Sequence, residues 1–317
     1  MNKILQYNYR NNFNTPVLFL VFNRLDCTKQ VFESIRKVKP PRLYVSSDGA
    51  RNNIDDEIQK VLDVRNYILQ NIDWECDVKT LFRDQNMGCK YAVSNAINWF
   101  FENEEQGIIL EDDCLPSQSF FWFCEELLFK YKDELKIGQI SGDNFQKGKT
   151  RGDADYYFSI YNHIWGWASW SSRWKLYDVE LNSINSTKFL DQLFPKNSVR
   201  EYWKKIFYKT KSKQIDTWDY QWTFCLWNNQ MFTILPNYNL ISNIGFGKEA
   251  THTHKVNRFS SLPTFDFILK KHPSDLSINY SADRFTESIW GMKNRKLTGL
   301  KIWIFNNLIN LKKNENS

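Results

Sequence analysis

Residues 107–113 read Gly107-Ile108-Ile109-Leu110-Glu111-Asp112-Asp113. Three apolar residues make a short buried strand, and three carboxylates come directly after it. Acids at the carboxyl end of a parallel strand sit in the crevice where open α/β sheets bind ligands. Neighbouring carboxylates repel one another, and a divalent cation that prefers hard oxygen ligands relieves that repulsion. A few protein oxygens leave most of its shell to water and phosphate. The plainer alternative is an acidic loop ahead of a helix, since Ser117 or Ser119 can cap a helix starting at Phe120.

Upstream, the chain alternates. VLFLVF (17–22) is a continuous apolar run of strand length, the pattern of a strand buried on both faces. Asn23-Arg24-Leu25-Asp26 turns the chain, and Val31, Phe32, Ile35 and Val38 mark a helix that Pro40-Pro41 ends. LYVSS (43–47) is a second strand, closed by Asp48-Gly49. Ile58, Val61, Leu62, Ile68 and Leu69 mark a second helix. VKTLF (78–82) is a third strand. Ala92, Ala96, Trp99 and Phe100 mark a third helix, leading into GIIL. Four strands and three helices with short links predict a parallel sheet with right-handed crossovers. No G-x-G-x-x-G comes after the first strand, which argues against a dinucleotide-binding Rossmann domain, and no P-loop is present.

The second half reads differently. Strands are expected at 137–141, 156–161 and 231–235, and helices near 186–194, 198–210 and 216–229. Ile137 to Ser141 runs into Gly142-Asp143-Asn144. His163-Ile164-Trp165-Gly166-Trp167 opens a dense aromatic segment. A glycine-containing loop covers 239–254, and 260–285 reads as irregular. The division expected is 1–145, 146–260 of the same domain, and a C-terminal extension over 261–317.

The 317 residues include 13 Trp, 15 Tyr and 24 Phe, enough for both a core and walls on which sugar rings stack. A net charge of +6 is too small for this length to argue nucleic-acid binding, but it tolerates anionic ligands. Six cysteines without CxxC spacing point to a reduced, cytoplasmic setting. No apolar run is long enough to span a bilayer. The end, LTGLKIWIFNNLINLKKNENS, mixes apolar and basic residues. It suits either peripheral contact with the inner membrane face or packing on its own domain.

With PVLFLVFNR (16–24), SSDG (46–49), ILEDD (109–113) and TWDYQW (217–222) in this order, the chain resembles the GT-A glycosyltransferases, most closely the N-acetylglucosaminyltransferase I type. The resemblance covers residues 15–255. It implies a Rossmann-like, mostly parallel α/β sheet flanked by helices, with a smaller acceptor-side subdomain. It implies an inverting transferase that moves a sugar from a nucleotide-diphosphate donor, UDP-linked and of the UDP-GlcNAc kind, to a glycan or glycoconjugate hydroxyl. A bacterial-type surface polysaccharide is the expected product, and Mn²⁺ or Mg²⁺ the expected cofactor. By position, Arg24 and Lys90 would lie near the nucleotide and Asp48 would bond the uracil. Glu111 would face the donor sugar, Asp112 the ribose and sugar, and Asp113 the metal. Asp219 would be the catalytic base.

Residue chemistry leads the same way. Glycosyl transfer expels a diphosphate that gathers negative charge, which a bridging cation stabilises. The acceptor hydroxyl needs a carboxylate to take its proton. Asp219 suits that task, though Asp216-Thr217-Trp218-Asp219 also reads as a helix start. Trp165, Gly166, Trp167 and Trp218 are candidate walls for the sugars, or core. His252 is a candidate for the metal shell, and His254 shares its face in an extended chain; both also read as surface histidines. The competing class is a non-catalytic carbohydrate- or nucleotide-binding module that kept the fold.

Overall fold

The computed structural model describes residues 12–184, 187–246 and 259–290. In chain order the elements are β1 (Val17–Val21), α1 (Leu25–Val38), β2 (Arg42–Ser47), α2 (Glu57–Asn71), β3 (Asp77–Phe82), α3 (Gly88–Asn103) and β4 (Gln106–Glu111). Then come β5 (Cys114–Pro116), α4 (Gln118–Lys130), β6 (Ile137–Ser141), β7 (Tyr156–Ser159), β8 (Trp167–Trp170) and α5 (Ser171–Trp174). The remainder are α6 (Phe189–Leu193), α7 (Asn197–Lys211), α8 (Asp219–Asn228), β9 (Phe232–Pro236), β10 (Ile241–Asn243) and α9 (Tyr280–Ile289).

Eight strands form one sheet in the order β3-β2-β1-β4-β8-β6-β9-β7. The pairs β2–β3, β1–β2, β1–β4 and β6–β9 are parallel, while β8 and β7 run against their neighbours. The sheet is thus mostly parallel and flanked by helices, as expected. Both halves of the chain contribute to it.

The alternation of β1 divides the core. Val17, Phe19 and Val21 face one side, against Val31, Phe32 and Ile35 of α1 and Phe120, Phe121 and Leu127 of α4. Leu18 and Leu20 face the other, against Ala96, Ile97 and Phe100 of α3 and Trp222 and Trp227 of α8. Side chains alternate with a period of two along a strand, so a continuous apolar run feeds two cores at once.

Four local differences from the expectation appear. The helix expected over 186–194 is the single turn α6, and α8 begins at Asp219 rather than Asp216. The stretch read as irregular, 260–285, runs into α9, whose start Asn279 caps by accepting the Ala282 N–H at 3.0 Å. A short ribbon, β5 against β10, is invisible in the sequence because three-residue strands have no measurable period. The C-terminal segment from 291 onward, with its membrane-contact expectation, lies outside the described residues. None of the described helices is long and apolar enough to cross a membrane, and none of the six cysteines is in a disulfide.

Candidate active site

Because β2, β1 and β4 are parallel neighbours, their carboxyl ends lie side by side. Leu20 of β1 is paired with Glu111 of β4. The residues just past these strand ends therefore converge: Asp48 after β2, Arg24 after β1, and Asp112-Asp113 after β4. All of these line one cavity of about 520 Å³, together with Glu111, Arg51, Arg83, Trp218 and Asp219.

Arg24 binds both aspartates. Its Nη1 is 2.9 Å from Asp113 Oδ2, and its Nη2 donates to Asp112 Oδ1. One guanidinium faces three carboxyls. Burial, then Asp113 and Asp112, push the Glu111 carboxyl well above the usual carboxylate range. Asp112 is pushed up to about 6 by burial, against the pull of Arg24. Its Oδ2 is buried and has no hydrogen-bond partner.

The β5–β10 ribbon lays residues 243–246 over this cluster. The Ile244 N–H donates to the Asp113 carbonyl at 2.8 Å. A Cβ on Gly245 would stand 2.1 Å from Asp113 Oδ2 and 2.6 Å from Arg24 Nη1. Only glycine lets the backbone lie this close.

Asp48 is tied to the main chain. Its carboxylate accepts the N–H groups of Gly49 and Met87 at 3.0 Å and Gly88 at 3.1 Å, pinning the start of α3. Burial nevertheless raises its pKa. Lys90 departs from the expectation. It does not line the cavity; its ammonium is 2.9 Å from Glu180 Oε1, because helical periodicity turns it toward the 175–183 segment.

Gly166 has φ +70°, and a Cβ there would lie 2.5 Å from Ile241 Cδ1. On either side of it the two tryptophans part company. Trp165 lines the cavity. Trp167 is a core residue rather than a sugar wall: it is 1% exposed and stacks on Trp218 at 5.9 Å and 20°. It lies in β8, whose residues are all buried. Trp218 is itself buried, with an edge on the cavity.

Asp219 opens α8, and the Thr217 hydroxyl donates to its carboxylate. It stands in a wall shared by two cavities. Beyond Ile164, Trp165 and Asp219, which line both, lies a second cavity of about 470 Å³. This one is aromatic, with Phe145, Tyr161, Tyr202, Trp203, Tyr220 and Trp290 among its walls. Asp143 and His163 also line it.

Sequence reasoning missed Arg51, Arg83 and Asp143 as cavity residues. Arg83 and Asp143 had a signal, since each comes soon after a strand of the same direction as β4. His252 and His254 lie outside the described residues. Among the described residues, no group of three or more His, Cys, Asp or Glu side chains is arranged to hold a metal ion. A cation that takes most of its ligands from phosphate and water needs less, and the carboxylates with the unpartnered Asp112 Oδ2 are hard donors of the right kind.

No family model and no curated protein matches the chain. Among solved structures it is similar to an apo UDP-glucose pyrophosphorylase, with TM-score 0.36 and 7% identity over 72% of this chain and 93% of that one. It is similar to the inositol-1-phosphate CTP transferase from T. maritima, with TM-score 0.32 and 12% identity over 56% and 77%. HddC from Yersinia pseudotuberculosis gives TM-score 0.29 and 9% identity over 50% and 78%. At such scores the likeness carries no functional information.

Proposed function

We propose that this chain is an inverting, metal-dependent glycosyltransferase of the GT-A type, taking a sugar from a nucleotide-diphosphate donor, UDP-linked, to a hydroxyl of a glycan or glycoconjugate. The supporting observation is the place of Asp219, in the wall between a cavity of arginines and carboxyls and a cavity of aromatic rings. Transfer needs a base between the leaving group's side and the incoming hydroxyl.

In this reading the diphosphate lies in the first cavity, where Arg24, Arg51 and Arg83 offset its charge as it leaves. Asp113 would hold the divalent cation, Mn²⁺ or Mg²⁺, which supplies Lewis-acid stabilisation of the diphosphate when bound. Arg24 balances the same carboxylates otherwise. Asp112 takes the ribose, and Glu111 faces the donor sugar. Asp48 would take the uracil imide N–H on a carboxylate whose oxygens also accept the Gly49, Met87 and Gly88 amides, the Met87 N–H being shared between the two oxygens. Asp219 takes the acceptor's proton, and attack from its side of the wall, opposite the diphosphate, inverts the anomeric carbon.

The test is release of UDP from a panel of UDP-sugars with and without Mn²⁺, in wild type and Asp113→Ala. Mn²⁺-dependent release that the variant loses supports the enzyme. Absent release in wild type supports a non-catalytic binding module instead, and release that needs no metal overturns the metal-dependent mechanism.

A further inference from the structure

Three residues that line the aromatic cavity each carry a buried polar atom without a protein partner: Asp143 Oδ1, His163 Nε2 and Trp203 Nε1. The residues are 1%, 4% and 3% exposed. Thr223, which lines the same cavity, is satisfied, since its Oγ1 donates to Asn162 Oδ1 at 2.9 Å. An unpartnered buried polar atom is destabilising, and three around one cavity call for an explanation. Asp143 is not adrift, because its other oxygen accepts the Trp165 N–H at 3.1 Å. That bond fixes the residue whose ring lines both cavities. His163 is held edge-on between Phe145 at 4.6 Å and Trp290 at 5.4 Å. Burial pushes its pKa down to about 3, so the ring is neutral, and the Asn162 main chain already engages it. With one ring nitrogen so engaged, Nε2 is left as an acceptor.

We propose that Asp143 and His163 are specificity-determining residues of a monosaccharide subsite in this cavity, each pairing with a ring hydroxyl of the acceptor sugar while Trp165 meets the ring's apolar face. A pyranose has that mixed character, with a C–H face for aromatic rings and hydroxyls at its rim. The subsite deepens the transferase reading, since it places the acceptor on the far side of Asp219 from the donor. Asp143 lines the aromatic cavity and not the strand-end cavity, so its role separates from donor binding.

Saturation-transfer NMR on the full chain, with UDP and Mg²⁺ present, tests this. The probes are the methyl β-glycosides of galactose, glucose and N-acetylglucosamine, with their monodeoxy counterparts. Asp143→Asn keeps an oxygen for the Trp165 N–H and puts an N–H donor in place of the unpartnered Oδ1. At least one glycoside is expected to bind wild type, and Asp143→Asn to weaken it on the order of 10- to 100-fold, with the UDP signals unchanged. One monodeoxy sugar should lose as much on wild type and nothing further on the variant. A purely structural role for Asp143 would not produce that pairing. The proposal is overturned if UDP binds and no glycoside does, if Asp143→Asn binds glycoside like wild type, or if deoxygenation acts equally on both proteins. Should the variant not fold, the wild-type deoxy series decides, and a series without a tenfold step overturns the proposal. Failure of UDP itself to bind wild type would instead sink the transferase reading.

Discussion

Arg24 Nη1 lies 2.9 Å from Asp113 Oδ2, and the same guanidinium holds the preceding Asp112 through its other terminal nitrogen. The pairing joins the end of the first strand to the end of the fourth across 89 residues of sequence. Both partners are largely buried, with side-chain exposures of 16% and 14%.

Arg24→Ala leaves two aspartates beside Glu111 with no counter-charge. Breaking a buried pair by removing one partner costs about 3–5 kcal/mol. The variant is expected to melt well below wild type, and Mn²⁺ to raise its melting temperature more than that of wild type. Thermal unfolding with and without Mn²⁺ measures both. An equal shift in the two proteins would show that the carboxylates do not attract the cation.

Asp219→Asn should lower kcat by about 10²–10⁴-fold, the usual contribution of a general base, with UDP affinity unchanged. Steady-state kinetics beside calorimetric UDP titration separates the two. If kcat survives, Asp219 serves only the start of its helix.

Gly245→Ala puts a methyl 2.1 Å from Asp113 Oδ2. The 243–246 loop must lift off the pair or the pair must part. Overpacking of this kind costs about 1–3 kcal/mol. The denaturant midpoint should fall, and UDP binding should weaken with it. A variant that retains wild-type UDP affinity would mean the loop is not part of the donor cavity.

Asp283, on α9, carries a pH effect away from the site. It is 3% exposed and accepts from Ser159 Oγ at 2.5 Å. Burial pushes its carboxyl up to about 7, Glu287 adds to this, and Ser159, Ile160 and Arg284 oppose it. A folded pKa above the unfolded one means the folded state holds the proton more tightly. That stability is full below the unfolded carboxyl pKa and is lost as pH rises through about 7. Asp283→Asn should therefore match wild type near pH 4 and exceed it above pH 8, by on the order of 2–4 kcal/mol. Chemical denaturation across that range is the measurement, and parallel curves would refute it.

Much of the cluster is legible in the sequence because strand ends are local features. An apolar run ending in polar residues marks Arg24, Asp48 and Glu111 to Asp113, and parallel pairing brings the run-ends together. The same rule covers Arg83 and Asp143, but single polar residues after a strand are common and do not stand out. Lys90 escapes it for the opposite reason: helical residues only one position apart face different neighbours.

Local patterning by itself determined the alternating strands and helices, the sheet that stands between two apolar layers, and the acidic tip of the fourth strand. Hydrophobic period and strand length are properties of consecutive residues, so one chain suffices to read them. The tertiary structure alone decided that Trp165 faces a cavity while Trp167 is core, and that Asp219 stands between two cavities. It alone left Asp143 and His163 with unanswered atoms. Those outcomes depend on which side chains from distant segments fill the space around each residue, and no short-range pattern encodes them.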